Sequence, residues 1–160
     1  MSTAVDVVIR QLTYSGERLL LGIELLDPEE FFRENEDGLS AAWVLGHLTC
    51  VTDLFASWFA SDRVMLFSRK FHRVFNETAV VEECGVSRAS MVDREKYTKE
   101  LLMRRFREAQ IRAMDVLEEL GFENWDYEPP DCVPVSIQTC GRLWEILAVH
   151  TEQHLSLIHI

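Results

Sequence analysis

Glycine and proline are scarce in this sequence, with 7 and 4 residues among 160. Long stretches contain neither residue, which argues against short strands joined by tight turns and favours helices. Apolar residues make up 48% of the chain and charged residues 27%, the usage of a globular protein with a buried core. The length suits one ordinary domain, so we predict a single helical domain spanning residues 1–160.

Positive charge is also in short supply. Lys and Arg total 16 against 27 Asp and Glu, which gives a formal net charge of −11. Phosphate backbones and anionic membrane surfaces attract basic proteins, so we expect neither nucleic acid nor membrane as a partner. The one basic run, Arg104, Arg105 and Arg107, lies within a predicted helix and is typical of a solvated helix face.

Long apolar runs are absent as well. No run approaches the ~18 residues of a membrane span, and no basic segment followed by an apolar stretch opens the chain. We therefore expect a cytoplasmic protein. The four cysteines, Cys50, Cys84, Cys132 and Cys140, are far apart and form no C-x-x-C pair, which argues against a zinc knuckle or redox motif and predicts reduced thiols.

Apolar residues recur at three- and four-residue steps in four segments, which is the period of amphipathic helices. The first segment runs from residue 3 to residue 26. Ser40 is a strong N-cap for the second helix, and Asp93 is placed to open a third, which Gly121 ends. Thr139 can cap the fourth. The pattern predicts an all-α four-helix bundle.

Two connections in this predicted bundle are long. Residues 61–92, between the second and third helices, lack a clean period, which predicts short or broken helical pieces. Residues 122–138 contain three of the four prolines and are expected to cross the bundle surface before the fourth helix; these prolines are Pro129, Pro130 and Pro134.

Three histidines fall on predicted inner faces. His150 and His154 are four residues apart, so their imidazoles project from one side of the fourth helix about one turn apart. His47 lies on the second helix, in an apolar stripe formed by Val44, Val51, Leu54 and Trp58. Three neutral imidazoles suit zinc, iron, nickel or copper and leave coordination positions open. The spacing therefore predicts one divalent-metal site made by His47, His150 and His154.

Simpler interpretations apply to each neighbouring residue. A single histidine on an apolar stripe is more often a hydrogen-bonded core residue than a ligand. Glu152 lies about 200° around the helix from His150, so we expect it to face solvent and not to act as a base. Cys50 is expected in the core, His72 at the surface, and His159 off the ligand face.

Two motifs resemble the DinB/YfiT-like superfamily of metal-binding four-helix bundles. The segment from Ser40 to Leu48 contains Trp43 and His47 and resembles the family's serine-capped start of helix two. The segment from His150 to His154 resembles its closing H-x-x-x-H. The resemblance implies up-down-down-up connectivity with a long crossover, homodimers in many members, and one ion of Zn, Ni, Fe or Mn.

The resemblance also implies a class of reaction. Members with known activities include thiol-dependent S-transferases and isomerases that use low-molecular-weight thiols. We therefore expect a metal-dependent enzyme that activates a small thiol and acts on a small-molecule substrate. Two alternatives stay open: a hydrolase whose ion activates water, and a non-catalytic binding module in which the ion stabilises the bundle or is absent. No residue is assigned as a general base.

Overall fold

The computed structural model describes residues 3–76, 85–129 and 139–158, and within these ranges every regular element is helical. Two short 3-10 helices, Ala89–Met91 and Phe122–Asn124, accompany the α-helices. The α-helices are α1 (Ala4–Leu25), α2 (Pro28–Phe32), α3 (Ala41–Phe59), α4 (Arg69–Asn76), α5 (Lys99–Leu120) and α6 (Cys140–Ile158). The all-α prediction is confirmed for this part of the chain.

Side-chain caps fix where the helices begin. The Ser40 hydroxyl accepts a hydrogen bond from the Trp43 N–H at 3.2 Å, and the Thr139 hydroxyl accepts one from the Arg142 N–H at 3.2 Å. Both caps were predicted, and each satisfies one of the backbone donors that a helix start leaves free. Gly121 follows the C-terminal end of α5 and has a φ of 65°, a positive value that glycine adopts without strain.

The predicted start of the third long helix was wrong by five residues, because Thr98 and not Asp93 is its N-cap. The Asp93 side chain accepts from the backbone of Glu95 and Lys96, which builds an isolated turn instead of a helix. Tyr97, which directly follows this turn, is buried against the aromatic rings of Phe71 and Phe75 on α4. Extended backbone at Thr98 then interrupts the turn, and its hydroxyl caps α5.

The four long helices, α1, α3, α5 and α6, pack against one another. α3 contacts α5 and α6, and α1 contacts α6 and α5. The core between them is made of large apolar side chains, each of which stabilises the fold by about 1.5–3 kcal/mol when fully buried. Its fully buried members include Phe31, Phe71, Phe75, Phe106, Leu117 and Trp144. None of the described helices is both long and apolar enough to cross a bilayer.

The predicted inner stripe of α3 was only partly correct. Val44 is buried, but Val51, Leu54 and Trp58 are partly exposed. Contacts with α2, α4, α5 and α6 cover several faces of α3, so one apolar stripe does not describe its buried surface. The buried positions instead include polar residues, among them Asp53.

Asp53 is fully buried and joins α3 to three other parts of the chain. Its carboxylate accepts the backbone N–H groups of Leu66 at 2.8 Å and Phe67 at 3.1 Å. It also lies 2.9 Å from His72 Nε2 on α4 and 3.6 Å from an Arg112 nitrogen on α5. We expected His72 at the surface, and that prediction was wrong because this carboxylate offers the imidazole a buried partner.

Candidate metal site

His47 is oriented by the end of α4. Its Nδ1 lies 2.8 Å from the carbonyl oxygen of Phe75, and Trp43 Nε1 donates to the preceding carbonyl, that of Val74, at 3.3 Å. The last carbonyls of a helix lack partners within the helix, so they are free to accept from neighbouring side chains. Trp43 and His47, four residues apart on α3, stack with ring centroids 4.8 Å apart and an interplanar angle of 10°.

This hydrogen bond determines which nitrogen of His47 carries the proton. A carbonyl oxygen only accepts, so Nδ1 must donate and the neutral ring is left with a lone pair on Nε2. That lone pair is the one available to a ligand. Nε2 lies on the side of the ring that faces α6, 3.3 Å from Nε2 of His150.

α6 supplies the other two imidazoles. The His150 and His154 ring centroids are 4.5 Å apart, and they lie 5.4 Å and 5.2 Å from that of His47. One ring nitrogen from each histidine can be chosen so that all three lie within 4.8 Å of one another. The structure thus brings together the three histidines that the sequence singled out.

Burial keeps all three imidazoles neutral. It lowers the pKa of His47 to about 4, helped by the charges of His150 and Arg88 and opposed by the hydrogen bond to the Phe75 carbonyl. It also lowers the pKa of His154 to about 4, with the other two histidines adding to the effect. Burial lowers the pKa of His150 as well. Neutral imidazole is the form that binds a metal ion.

The residues present fit a divalent ion on two further observations. Two nitrogens bound to one tetrahedral zinc at ~2.05 Å lie about 3.3 Å apart, which is the order of the His47–His150 separation. In addition, Nδ1 of His154 is buried and has no hydrogen-bond partner. A buried polar atom left unsatisfied costs about 1–3 kcal/mol, a cost that a ligand at this nitrogen would remove.

Other residues near the ligands in sequence have different roles. Cys50 is in the core as predicted, and burial, with the Asp53 charge, raises the pKa of its thiol. We expected Glu152 to face solvent, and that prediction was wrong: the residue is partly buried and accepts a hydrogen bond from Ser15 on α1. Cys140 is a buried free thiol. The predictions for Cys84, Cys132, Pro130, Pro134 and His159 fall outside the described residues.

Sequence reasoning missed two features of the site. The first is Gly46: a β-carbon there would collide with the Phe75 ring, so glycine permits the close approach of α3 and α4 that brings the Phe75 carbonyl to His47. The adjacent G-H pair was a signal for such an approach. The second is Arg88, whose guanidinium lies over the Trp43 ring. No sequence motif around Arg88 indicated this contact.

Comparison with known proteins gives one clear result. No curated protein and no solved structure is similar enough to the chain to count as a match. The sequence profile of the DinB superfamily, however, matches residues 11–158, which is most of the chain and includes all three histidines. The protein belongs to the DinB superfamily.

Proposed function

We propose that this protein is a metal-dependent enzyme built on a DinB-type four-helix bundle, with one Zn, Ni, Fe or Mn ion held by His47, His150 and His154. The observation that carries the proposal is the convergence of three imidazole nitrogens within 4.8 Å of one another, with His47 Nε2 3.3 Å from His150 Nε2. Three protein ligands leave positions open for a water or a substrate.

The ion would act as a Lewis acid that lowers the pKa of a water or thiol in its open position. The chain's own residues would hold the ion and fix its surroundings. The Phe75 carbonyl sets the tautomer and orientation of His47, as the outer partners of metal-binding histidines generally do. Trp43 covers one face of that ring and limits access of water.

The donor set favours a thiol over water as the activated group. Among the described residues, the cluster contains three imidazoles and neither a carboxylate nor a thiolate. The described part of the cluster therefore offers no carboxylate to remove a proton. A thiol, with an unperturbed pKa near 8.5, needs far less help to ionise than water at 15.7. We therefore propose thiol-dependent transfer to a small-molecule electrophile, with hydrolysis as the second candidate.

The ligand assignment is tested with matched histidine variants. His154→Gln removes a partly buried imidazole and His72→Gln a buried one, but only His154 belongs to the cluster. Elemental analysis of protein purified without a histidine tag should give about one metal per chain for the wild type and for His72→Gln, and none for His154→Gln. Equal metal content in the two variants would reject the assignment.

The reaction class needs a separate experiment. Metal-loaded protein is incubated with an alkyl halide electrophile and a small thiol, and thioether formation is followed by mass spectrometry. Formation that depends on the wild-type histidines supports the transferase. Cleavage of an ester or amide substrate without a thiol supports the hydrolase. If neither reaction is detected but metal removal lowers the melting temperature, the non-catalytic module is supported.

A further inference from the structure

Among the described residues, no acidic side chain pairs with Arg88. Its Nε is buried and has no hydrogen-bond acceptor, the one guanidinium nitrogen of which this holds among the described residues. Other arginines pair with acids, as Arg94 does with Glu29 at 3.5 Å and Arg107 with Glu24 at 3.4 Å. A buried donor without an acceptor is costly, so such a group calls for an explanation.

The backbone around Arg88 is held firmly. The Ser87 hydroxyl donates to the Glu34 carboxylate at 2.7 Å, and the Ala89 N–H donates to the Gly38 carbonyl at 2.9 Å. The residue on each side is thus tied to the segment that precedes α3. The Glu34 carboxylate accepts from Ser87.

The Trp43 ring connects the Arg88 side chain to the three-histidine cluster. The Cζ of Arg88 lies 5.3 Å from the centre of the Trp43 ring, and the centre of that ring lies 4.8 Å from that of His47. One aromatic ring therefore contacts both the guanidinium and a candidate metal ligand.

We propose that Arg88 binds the carboxylate of the small molecule that occupies the three-histidine site. A guanidinium presents a planar fork of N–H donors that matches a carboxylate, and Nε is one prong of that fork. A monocarboxylate fits one guanidinium, whereas a phosphate usually recruits several cationic or backbone donors.

The inference rests on the proposed function for the location of the ligand, and the experiment separates the two. Zinc-loaded protein is titrated calorimetrically with 3-mercaptopropionate and with 3-mercapto-1-propanol, which differ at the end remote from the thiol. The wild type should bind the acid about tenfold more tightly than the alcohol. In Arg88→Gln this preference should disappear while the affinity for the alcohol stays the same.

Arg94→Gln is the matched control, because Arg94 also lies over an aromatic ring, that of Phe32, but has the acidic partner Glu29. It should keep the tenfold preference. Arg88→Lys keeps the charge but loses the fork, so an intermediate preference is expected. Equal binding of acid and alcohol by the wild type, or an unchanged preference in Arg88→Gln, would overturn the inference while leaving the metal site standing.

A direct readout covers the case in which neither thiol binds, which would count against the thiol reaction alone. The Nε–H resonance of Arg88 is assigned in 15N–1H spectra by its loss in Arg88→Lys. Adding propionate to the zinc-loaded protein should shift this resonance at low millimolar concentration and leave that of Arg94 unchanged. If it stays in place, Arg88 does not bind carboxylates at this site and the inference fails.

Discussion

Two histidine clusters involve α3, one buried and one partly buried, and they differ in what surrounds the histidine. His72 lies against the Asp53 carboxylate, which also accepts two backbone N–H groups and faces Arg112. His47 lies against two further histidines, with no carboxylate in the group. The first cluster is complete within the chain. The second leaves a buried nitrogen of His154 without a partner, and His47 Nε2 faces only another imidazole nitrogen, that of His150.

This difference indicates what each cluster is for. Buried polar groups are normally satisfied, so a cluster whose charges and hydrogen bonds balance needs nothing from outside the chain. A cluster that lacks partners lowers the stability of the free protein and is relieved by a ligand. We therefore expect changes at Asp53 to act on stability and changes at the three histidines to act on binding.

The largest expected effect on stability follows from Asp53→Ala. The substitution leaves Arg112 and His72 without their buried partner and frees the N–H groups of Leu66 and Phe67. Removing one member of a buried charge pair costs about 3–5 kcal/mol of unfolding free energy. Urea denaturation followed by circular dichroism measures the loss. The folded fraction should still take up about one metal ion per chain at saturation.

Arg104→Ala is the control, because Arg104 pairs with Glu108 on the exposed face of α5. Its removal should change the unfolding free energy by less than about 0.5 kcal/mol. A loss below 1 kcal/mol for Asp53→Ala, or loss of metal from the folded protein, would end the separation between a structural cluster and a binding cluster.

Gly46→Ala is expected to have a smaller effect on stability than Asp53→Ala, but to lower both stability and metal affinity. The new methyl group collides with the Phe75 ring, which is fully buried, so α3 and α4 must move apart. Overpacking of this kind costs about 1–3 kcal/mol, against the ~1 kcal/mol that alanine gains over glycine in a helix. Because the same movement displaces the Phe75 carbonyl from His47, zinc affinity measured by competition with a chelator should also fall.

Gly16→Ala is the matched substitution in α1. Its nearest contact would be the amide end of the Gln110 side chain, a flexible group that can move at the cost of its hydrogen bond to the Leu12 carbonyl. Stability should change by less than about 1 kcal/mol, and zinc affinity should be unchanged. Equal effects of the two substitutions would show that the contact between Gly46 and Phe75 does not position His47.

The pH dependence of the unfolding free energy of the metal-free protein gives a third test. The expected change is on the order of 1–2 kcal/mol after allowance for the partial exposure of the histidines. Burial holds the pKa values of His47 and His154 at about 4, below the ordinary 6.5. The unfolded chain therefore binds more protons between these values, so stability is full above pH 6.5 and falls as the pH is lowered toward 4. Thermal melts at several pH values measure the loss, which His47→Gln combined with His154→Gln should reduce.

The sequence was sufficient for much of the fold because local signals decided it. Ser40, Thr139 and Gly121 are short-range caps and stops, and each acts as predicted. The prediction of where α5 starts was wrong because Asp93 and Thr98 are both good N-cap residues. The choice between them depends on Tyr97, which is buried against α4, a contact that no local pattern reveals.

The candidate site was predictable where helical spacing sufficed. His150 and His154 are one turn apart on one helix, so their proximity follows from geometry. The environment of His47 was not predictable, because the Phe75 carbonyl comes from a helix within the long connection. His72 and Arg88 were also misjudged or missed. Their neighbours, Asp53 and Trp43, are distant in sequence, and periodicity carries no information about such pairs.

The smallest expected effect concerns Glu152, which lies between two ligand histidines in sequence. Its carboxylate accepts from Ser15 on α1, and it is not a member of the histidine cluster. Glu152→Gln keeps a carbonyl oxygen that can accept from Ser15, so the unfolding free energy should fall by less than about 1 kcal/mol. Metal content and turnover with any accepted substrate should match the wild type, whereas a tenfold loss of turnover would identify Glu152 as a base. The rotation of the helix directs Glu152 toward α1, whereas His150 and His154 are directed toward His47 on α3. Glu152 is therefore expected to be a structural carboxylate, although it lies between two candidate ligands in sequence.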